Sequence, residues 1–242
     1  MLFAVQAAIE HGKKTGILRI VDVGSGPGTA SFAFLVHVLE LYKDTKKLPF
    51  DIHLHWIDRN GSIIDDGEVL LNDFLSTLED WDGDIKLTRE VRDWWKHPKH
   101  FDPYASLVIF GNVLNESPKE HVIYQQGLIP LIKAPQGGGV LFVEPAFRSA
   151  SQRLSQIRDE LVLDEGSTTQ LWGPCLHLEK CPLAEGRDWC HFSIPAKLPG
   201  KWFRQFSIKL GGVREWLKFS FIWVAAQDAA QSKEKQAHDV VS

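Results

Sequence analysis

Ile17-Leu18-Arg19-Ile20-Val21-Asp22-Val23-Gly24-Ser25-Gly26-Pro27-Gly28-Thr29 is a nearly continuous apolar run that ends in an acid and three glycines spaced Gly-x-Gly-x-Gly. An apolar run of this length bounded by a turn predicts a strand buried on both faces. Glycines let the backbone turn tightly and approach a ligand closely, and the first amides of a following helix face the ligand's polar groups. Thr29 to Tyr42 continues at helical spacing and predicts a helix with Phe32, Leu35, Val36 and Leu39 on one face. Strand, glycine turn and helix make the first unit of an α/β fold.

The pattern repeats outward. Ile52 to Ile57 predicts a second strand ending in Asp58, followed by a turn at Asn60-Gly61 and a helix over Ile63 to Leu78. Ile85 to Val91 predicts a third strand, and Ala105 to Phe110 a fourth that runs into Gly111-Asn112. A helix is expected at Lys119 to Ile132, a strand at Val140 to Val143 ending in Glu144-Pro145, and a helix at Ser149 to Leu163. Such alternation specifies a mostly parallel sheet with helices on both faces. Phe203 to Leu210 and Trp216 to Ala226 read as two final strands joined at Gly211-Gly212, making seven strands. Residues 1–226 are expected to form a single domain, with a polar tail at 227–242 that is disordered or frayed.

At 242 residues with 44% hydrophobic side chains, the chain is long enough for one well-buried domain. Its formal charge of -4 argues against a protein that coats nucleic acid generally, and no DNA partner is expected. No apolar stretch reaches the roughly 18 residues of a membrane span, so no membrane partner is expected. Met1 to Ile9 lacks a basic region and meets Glu10 and His11, which fits a packed helix better than a signal peptide. Three cysteines, an odd number, fit a reducing intracellular compartment.

The acid before the glycines and their spacing resemble motif I of class I S-adenosylmethionine-dependent methyltransferases. In that setting Asp58, at the end of the second strand, stands where an acid accepts hydrogen bonds from two ribose hydroxyls. Asp22, Gly24, Ser25, Gly26, Gly28, Asp58 and Asn112 are therefore the expected cofactor-binding residues. A turn that only packs helix on sheet, with Asp22 as a structural acid, is the alternative. Arg92-Asp93 reads either as lining for the adenine side or as a solvated charge pair. Glu116 reads either as a site residue or as an acid stabilising the next helix. The residues identify no catalytic acid or base.

All three cysteines, Cys175, Cys181 and Cys190, fall in one segment, with His177 and His191 beside two of them. Grouped thiolates supply soft ligands for an iron-sulfur cluster or zinc. We expect a cysteine-rich metal-binding insertion at 172–193, with Cys175, Cys181, Cys190 and His177 as the metal residues. The spacing differs from that of common zinc ribbons, and buried, unliganded cysteines are the other reading.

These residues resemble a known family, the methyltransferase-like proteins associated with the mitochondrial ribosomal small subunit and their bacterial relatives. The resemblance covers most of the chain. It rests on the Asp22 to Thr29 turn, on Val143-Glu144-Pro145 with Arg153 and Arg158, and on Pro174-Cys175-Leu176-His177 with Cys181-Pro182-Leu183. Trp189-Cys190-His191-Phe192 and Lys218-Phe219-Ser220-Phe221 complete it. It implies a Rossmann-like class I methyltransferase fold carrying an iron-sulfur cluster, four-iron four-sulfur in type, or zinc. It implies action on ribosomal RNA or the small subunit in assembly or translation, with or without methyl transfer. The location implied is mitochondrial in a eukaryote and cytoplasmic in a bacterium. A small-molecule methyltransferase with structural zinc is the remaining alternative. In the family, cysteines at the places of Cys175, Cys181 and Cys190 are cluster ligands, and mitochondrial members use a further cysteine nearer the C-terminus. This sequence has no cysteine after Cys190. It also begins close to the glycine turn, so a short relative or a truncated chain is expected.

From Lys197 to Lys218 the cations Lys197, Lys201, Arg204, Lys209, Arg214 and Lys218 face one acid, Glu215, and are interleaved with Trp202, Phe203, Phe206 and Trp216. Cations beside aromatic rings suit RNA phosphates and bases. Two amphipathic strands with aromatics inward account for the same pattern.

Overall fold

The alternation of buried strands and amphipathic helices is realised in the computed structural model. It describes residues 2–78, 80–96, 104–114, 138–163, 169–175, 177, 179–196, 200–209, 211–212 and 215–226. Helix α1, Leu2–Thr15, precedes β1, Ile17–Val23, and α2, Thr29–Leu41. Strand β2 is Asp51–Asp58, helix α3 is Gly61–Leu75 and β3 is Ile85–Val91. After β4, Leu107–Gly111, and β5, Gly139–Pro145, comes α4, Arg148–Leu163. The last elements are β6, Thr169–Gly173, β7, Phe192–Pro195, α5, Lys201–Lys209, and β8, Trp216–Ala226.

The strands run in the order β3-β2-β1-β4-β5-β8-β6, and β7 pairs with β8 off this path. The first five are parallel, and β8 is antiparallel to β5, β6 and β7. This is the α/β Rossmann-like fold expected from the sequence; six of the seven expected strands are found, and β6 and β7, which were not expected, bring the sheet to eight. Core strands β4 and β5 are buried almost throughout, as parallel strands covered on both faces must be. On one face α1 and α2 pack Ala8, Ile9, Leu35 and Val38 against the sheet; on the other α4 packs Leu154, Ile157 and Leu161 at helical spacing. Among the described residues no helix is long and apolar enough to cross a membrane.

Two expectations are corrected. Residues 201–209 form α5 and not a strand: Trp202, Phe203 and Phe206 follow helical rather than alternating spacing. The Gly211 and Gly212 amides donate to the carbonyls of Ile208 and Ser207, ending the helix where a hairpin turn was expected. The strand that pairs with the start of β8 is β7, directly after Cys190. Second, α2 buries Phe34 and Val38 beside Leu35 and Leu39, while Val36 is exposed. That helix is apolar nearly all round, so spacing alone did not choose its inner face. The expected helix at 119–132, Glu116, Lys197, Arg214 and the tail at 227–242 lie outside the described residues.

Candidate functional site

The glycine turn leaves β1 where the chain reverses its order across the sheet, with β2 on one side of β1 and β4 on the other. That crevice at the carboxyl ends of the strands is where open α/β sheets bind ligands. The amides of Gly24 and Ser25 donate to the Ile57 carbonyl at 2.7 and 3.1 Å, and that of Gly28 to Ser25 at 2.8 Å. Gly28 has φ 76°, and a Cβ there would lie 2.0 Å from the Trp56 ring. Its task is therefore to let α2 start against Trp56, whose Nε1 donates to Ser31 Oγ at 2.6 Å. Asp58 is held from two sides: Oδ2 accepts from the Gly26 amide and Oδ1 from the Asn60 amide, each at 2.8 Å.

These residues open onto a cavity of about 960 Å³. Asp22, Gly24, Ser25, Gly26, Asp58 and Asn112 all line it; Gly28 does not. Arg92 and Asp93 line it too, so the pair after β3 faces the cavity. Asp93 Oδ1 is buried without a hydrogen-bond partner among the described residues, while its other oxygen lies 3.3 Å from Lys96 Nζ. Trp94 and Trp95, Phe34 and His37 of α2, and Val5 of α1 complete much of the wall. Sequence reasoning missed these. The paired tryptophans directly after Arg92-Asp93 were a usable signal; Val5 and His37 reach the cavity only through packing of α1 and α2.

Asp22 is fully buried. Burial pushes its carboxyl up from 3.8 to about 6, opposed by the Ser31 amide that donates to it at 2.9 Å and assisted by the charge of Asp58. An ionised carboxylate is held here at a cost that a cationic ligand in the cavity would offset. Asn112 has φ 58°, a conformation asparagine tolerates better than most residues. Glu144, fully buried on β5, fixes the loop that follows: its Oε1 accepts from the amides of Val113 and Leu114 at 2.9 and 2.8 Å. Arg153 of α4 donates to the Leu114 carbonyl.

The cysteines lie between β6 and β7, in a segment tied to its surroundings by side chains. Buried Arg158 of α4 donates to the carbonyls of Glu179, at 2.6 Å, and His177. Its neighbour Asp159 accepts from the Cys181 amide at 2.9 Å. Ser220 of β8 donates to the Cys190 carbonyl at 2.7 Å, and Trp189 Nε1 to that of Ala146 at 2.9 Å. All three thiols are free and half-buried. Burial pushes the Cys190 thiol up, and the charges of Cys175 and Cys181 push it further. Thiols of this kind fit a thiophilic metal, which would hold them as thiolates. Among the described residues, however, no group of three or more His, Cys, Asp or Glu side chains is disposed to hold a metal ion. His177 is exposed, and its Nδ1 lies 3.1 Å from Arg158 Nη2. Arginine only donates, so that lone pair is occupied and the other ring nitrogen carries the proton. His191 Nδ1 instead lies 3.2 Å from the Trp189 carbonyl, which accepts, leaving Nε2 with its lone pair.

A family model described as mitochondrial small ribosomal subunit Rsm22 matches residues 17–242. Comparison with curated proteins finds no match. Among solved structures the chain is similar to a proposed methyltransferase from Streptococcus mutans in complex with SAH, at 10% identity over 92% of this chain and 97% of that one, with a TM-score of 0.44. It is similar to a proposed sarcosine dimethylglycine methyltransferase from Galdieria sulphuraria, at 11% identity over 93% of this chain and 86% of that one, with a TM-score of 0.45. A SAM-dependent methyltransferase from Methanosarcina mazei is similar at 14% identity over 86% of this chain and 92% of that one, with a TM-score of 0.39.

Proposed function

The chain belongs to the Rsm22 family, and from that premise we propose that it is a methyltransferase-like protein that binds S-adenosylmethionine and acts on ribosomal RNA or the small ribosomal subunit. The observation that carries the reading is convergence: Asp22, Asp58 and Asn112, from three separate strand ends, line one cavity with the glycine turn. With both oxygens already fixed by backbone amides, Asp58 presents its remaining lone pairs to vicinal hydroxyls of a ribose. Asp93, whose Oδ1 has no hydrogen-bond partner among the described residues, would take a donor of the adenine, with Trp94 and Trp95 lining the same part of the cavity. Asp22 compensates the positive charge of the cofactor. Gly28 acts one step back, by seating α2 on Trp56.

S-adenosylmethionine supplies an electrophilic methyl group. The chain orients it: Asp58 and the turn hold one end, and Asn112 stands at the carboxyl end of β4 where an acceptor would enter. Alignment of acceptor, methyl and sulfonium supplies much of the catalysis when the acceptor is already nucleophilic.

Residues 1–226 act as one domain in this reading, with 172–193 as its metal-binding insertion. Cys175, Cys181 and Cys190, with His177, would hold an iron-sulfur cluster or zinc; because Arg158 occupies Nδ1 of His177 while His191 keeps a lone pair on Nε2, His191 is the alternative fourth ligand. The location follows the family: the mitochondrion in a eukaryote, the cytoplasm in a bacterium.

One anaerobic preparation tests both halves, by S-adenosylmethionine titration and by metal analysis. Asp58→Ala is expected to weaken cofactor binding at least tenfold, from the loss of about 1.5–3 kcal/mol per charge-assisted hydrogen bond. Cys181→Ser is expected to lower the metal content. No cofactor binding by the unaltered protein sinks the first half, and no bound metal sinks the second. Subunit assembly that survives Asp58→Ala would favour a non-catalytic assembly factor.

A further inference from the structure

Strand β8 is longer than the sheet it joins. Its residues from Phe219 onward pair with β5, and Phe219 stands opposite Pro145, the last residue of β5. Trp216 to Lys218 therefore continue past the carboxyl edge of the parallel strands, where among the described residues they pair with β7 alone. The result is a two-stranded arm rising from the same edge of the sheet as the glycine turn. Both faces of the arm are open: Ile194 and its cross-strand partner Leu217 are each 47% exposed, and Trp216 is 53% exposed. Helix α5, in the connection between the two strands of the arm, has no buried residue at all. Trp202 and Phe206, one turn apart, are 66% and 52% exposed.

Exposed apolar rings gathered in one region and rimmed by polar residues mark an interaction surface. The partner's chemistry is set by what surrounds the rings. Lys201, Arg204, Lys209 and Lys218 are all exposed, against Glu215, on a chain whose net charge is -4. The basic character is thus local to the surface that carries the flat rings. Exposed cations interleaved with exposed aromatic rings suit an unpaired nucleic-acid strand, because its phosphates take the charges and its bases are free to stack on the rings.

We propose that the β7–β8 arm and α5 form a binding surface for single-stranded RNA, which delivers an unpaired segment to the cavity edge of the sheet. The inference rests on the family reading only for the RNA being ribosomal; the surface chemistry stands on these residues.

The test uses fluorescence anisotropy of the whole protein with a short oligouridylate and a duplex of equal length, over a range of salt concentrations. The unaltered chain is expected to favour the single strand. Trp202→Ala with Phe206→Ala should weaken binding on the order of tenfold or more with little change in salt slope, since stacking is lost and charge is not. Lys201→Gln with Arg204→Gln should weaken it and reduce the slope by about 0.7 for each phosphate no longer neutralised. All four side chains are exposed, so unchanged melting curves will show that the variants fold. Equal oligonucleotide affinity in variants and unaltered chain overturns the proposal. So does tighter binding to anionic phospholipid vesicles than to RNA, which would make this a membrane surface. Co-sedimentation with small ribosomal subunits separates the two readings. If the unaltered chain sediments with subunits without binding the oligonucleotide, this inference falls and the family reading stands. If the variants lose RNA while the unaltered chain ignores subunits, the reverse holds.

Discussion

The glycine turn and the cysteine segment, the two regions proposed to bind a ligand, are built in opposite ways. In the turn, backbone positions are set by other backbone positions: Gly24 and Ser25 lean on the Ile57 carbonyl, and Asp58 is held by the amides of Gly26 and Asn60. In the cysteine segment, the chain between β6 and β7 is suspended from side chains of distant elements, chiefly Arg158 and Asp159 of α4 and Ser220 of β8. The first construction needs β1 and β2 side by side in register. The second depends on one helix presenting the right groups. The two regions also share that helix, since Arg153 fastens the loop that carries Asn112 and Arg158, five residues later, fastens the cysteines. The contrast between them is therefore a contrast in local wiring, with a common brace.

The sharpest way to break it is Arg158→Met. Removing one member of a buried, multiply bonded ion pair leaves Asp159 without its counter-charge and the carbonyls of His177 and Glu179 without this donor, and about 3–5 kcal/mol of stability should be lost. Reactivity of Cys175 and Cys181 toward a thiol reagent should rise, while cofactor affinity changes little. Denaturant melts with thiol titration check this, and an equal loss of cofactor binding would show that the two regions are one unit. Next comes Gly28→Ala. The added methyl meets the buried Trp56 ring at a positive φ, and a cost of about 3 kcal/mol is expected from overpacking and strain together. Here cofactor affinity should fall and thiol reactivity stay constant, the mirror image of the first result.

The smallest effect sharpens the electrostatics of the turn. Asp22 titrates near 6 when folded against 3.8 ordinarily, so the folded state binds its proton more tightly than the unfolded state does. Above pH 6 both states are ionised and the full cost of burying the charge is present. As the pH falls from 6 toward 3.8 the folded carboxyl takes up its proton first, and the cost disappears. Asp22→Asn is therefore expected to stabilise the chain by about 2 kcal/mol at pH 7.5 and by little at pH 4. It should also weaken cofactor binding. Chemical denaturation at the two pH values is the measurement.

The unit of β1, turn and α2 was legible because strand burial, glycine geometry and helical spacing are all local signals. So was the position of Asp58 at the end of β2. The inner face of α2 was not: with apolar residues on nearly every side, the choice of Phe34 and Val38 over Val36 belonged to α1 and the sheet. Residues 201–209 were misread as a strand because aromatic richness suggested one, although the spacing of Trp202, Phe203 and Phe206 was helical. Cys175, Cys181 and Cys190 stood out by their grouping, yet nothing near them in the chain disclosed that Arg158 would engage His177.

What the amino-acid sequence determined alone is what short-range physics governs: the buried parallel strands, the turn at Gly24 to Gly28, the acid at Asp58 and the gathering of the thiols in one segment. What tertiary structure decided is everything that needs contacts across tens of residues. The wall of the cavity from Val5 to Trp95, the bracing of two loops by α4, and the projection of the β7–β8 arm beyond the sheet all depend on where distant elements dock. Side-chain periodicity carries no record of that.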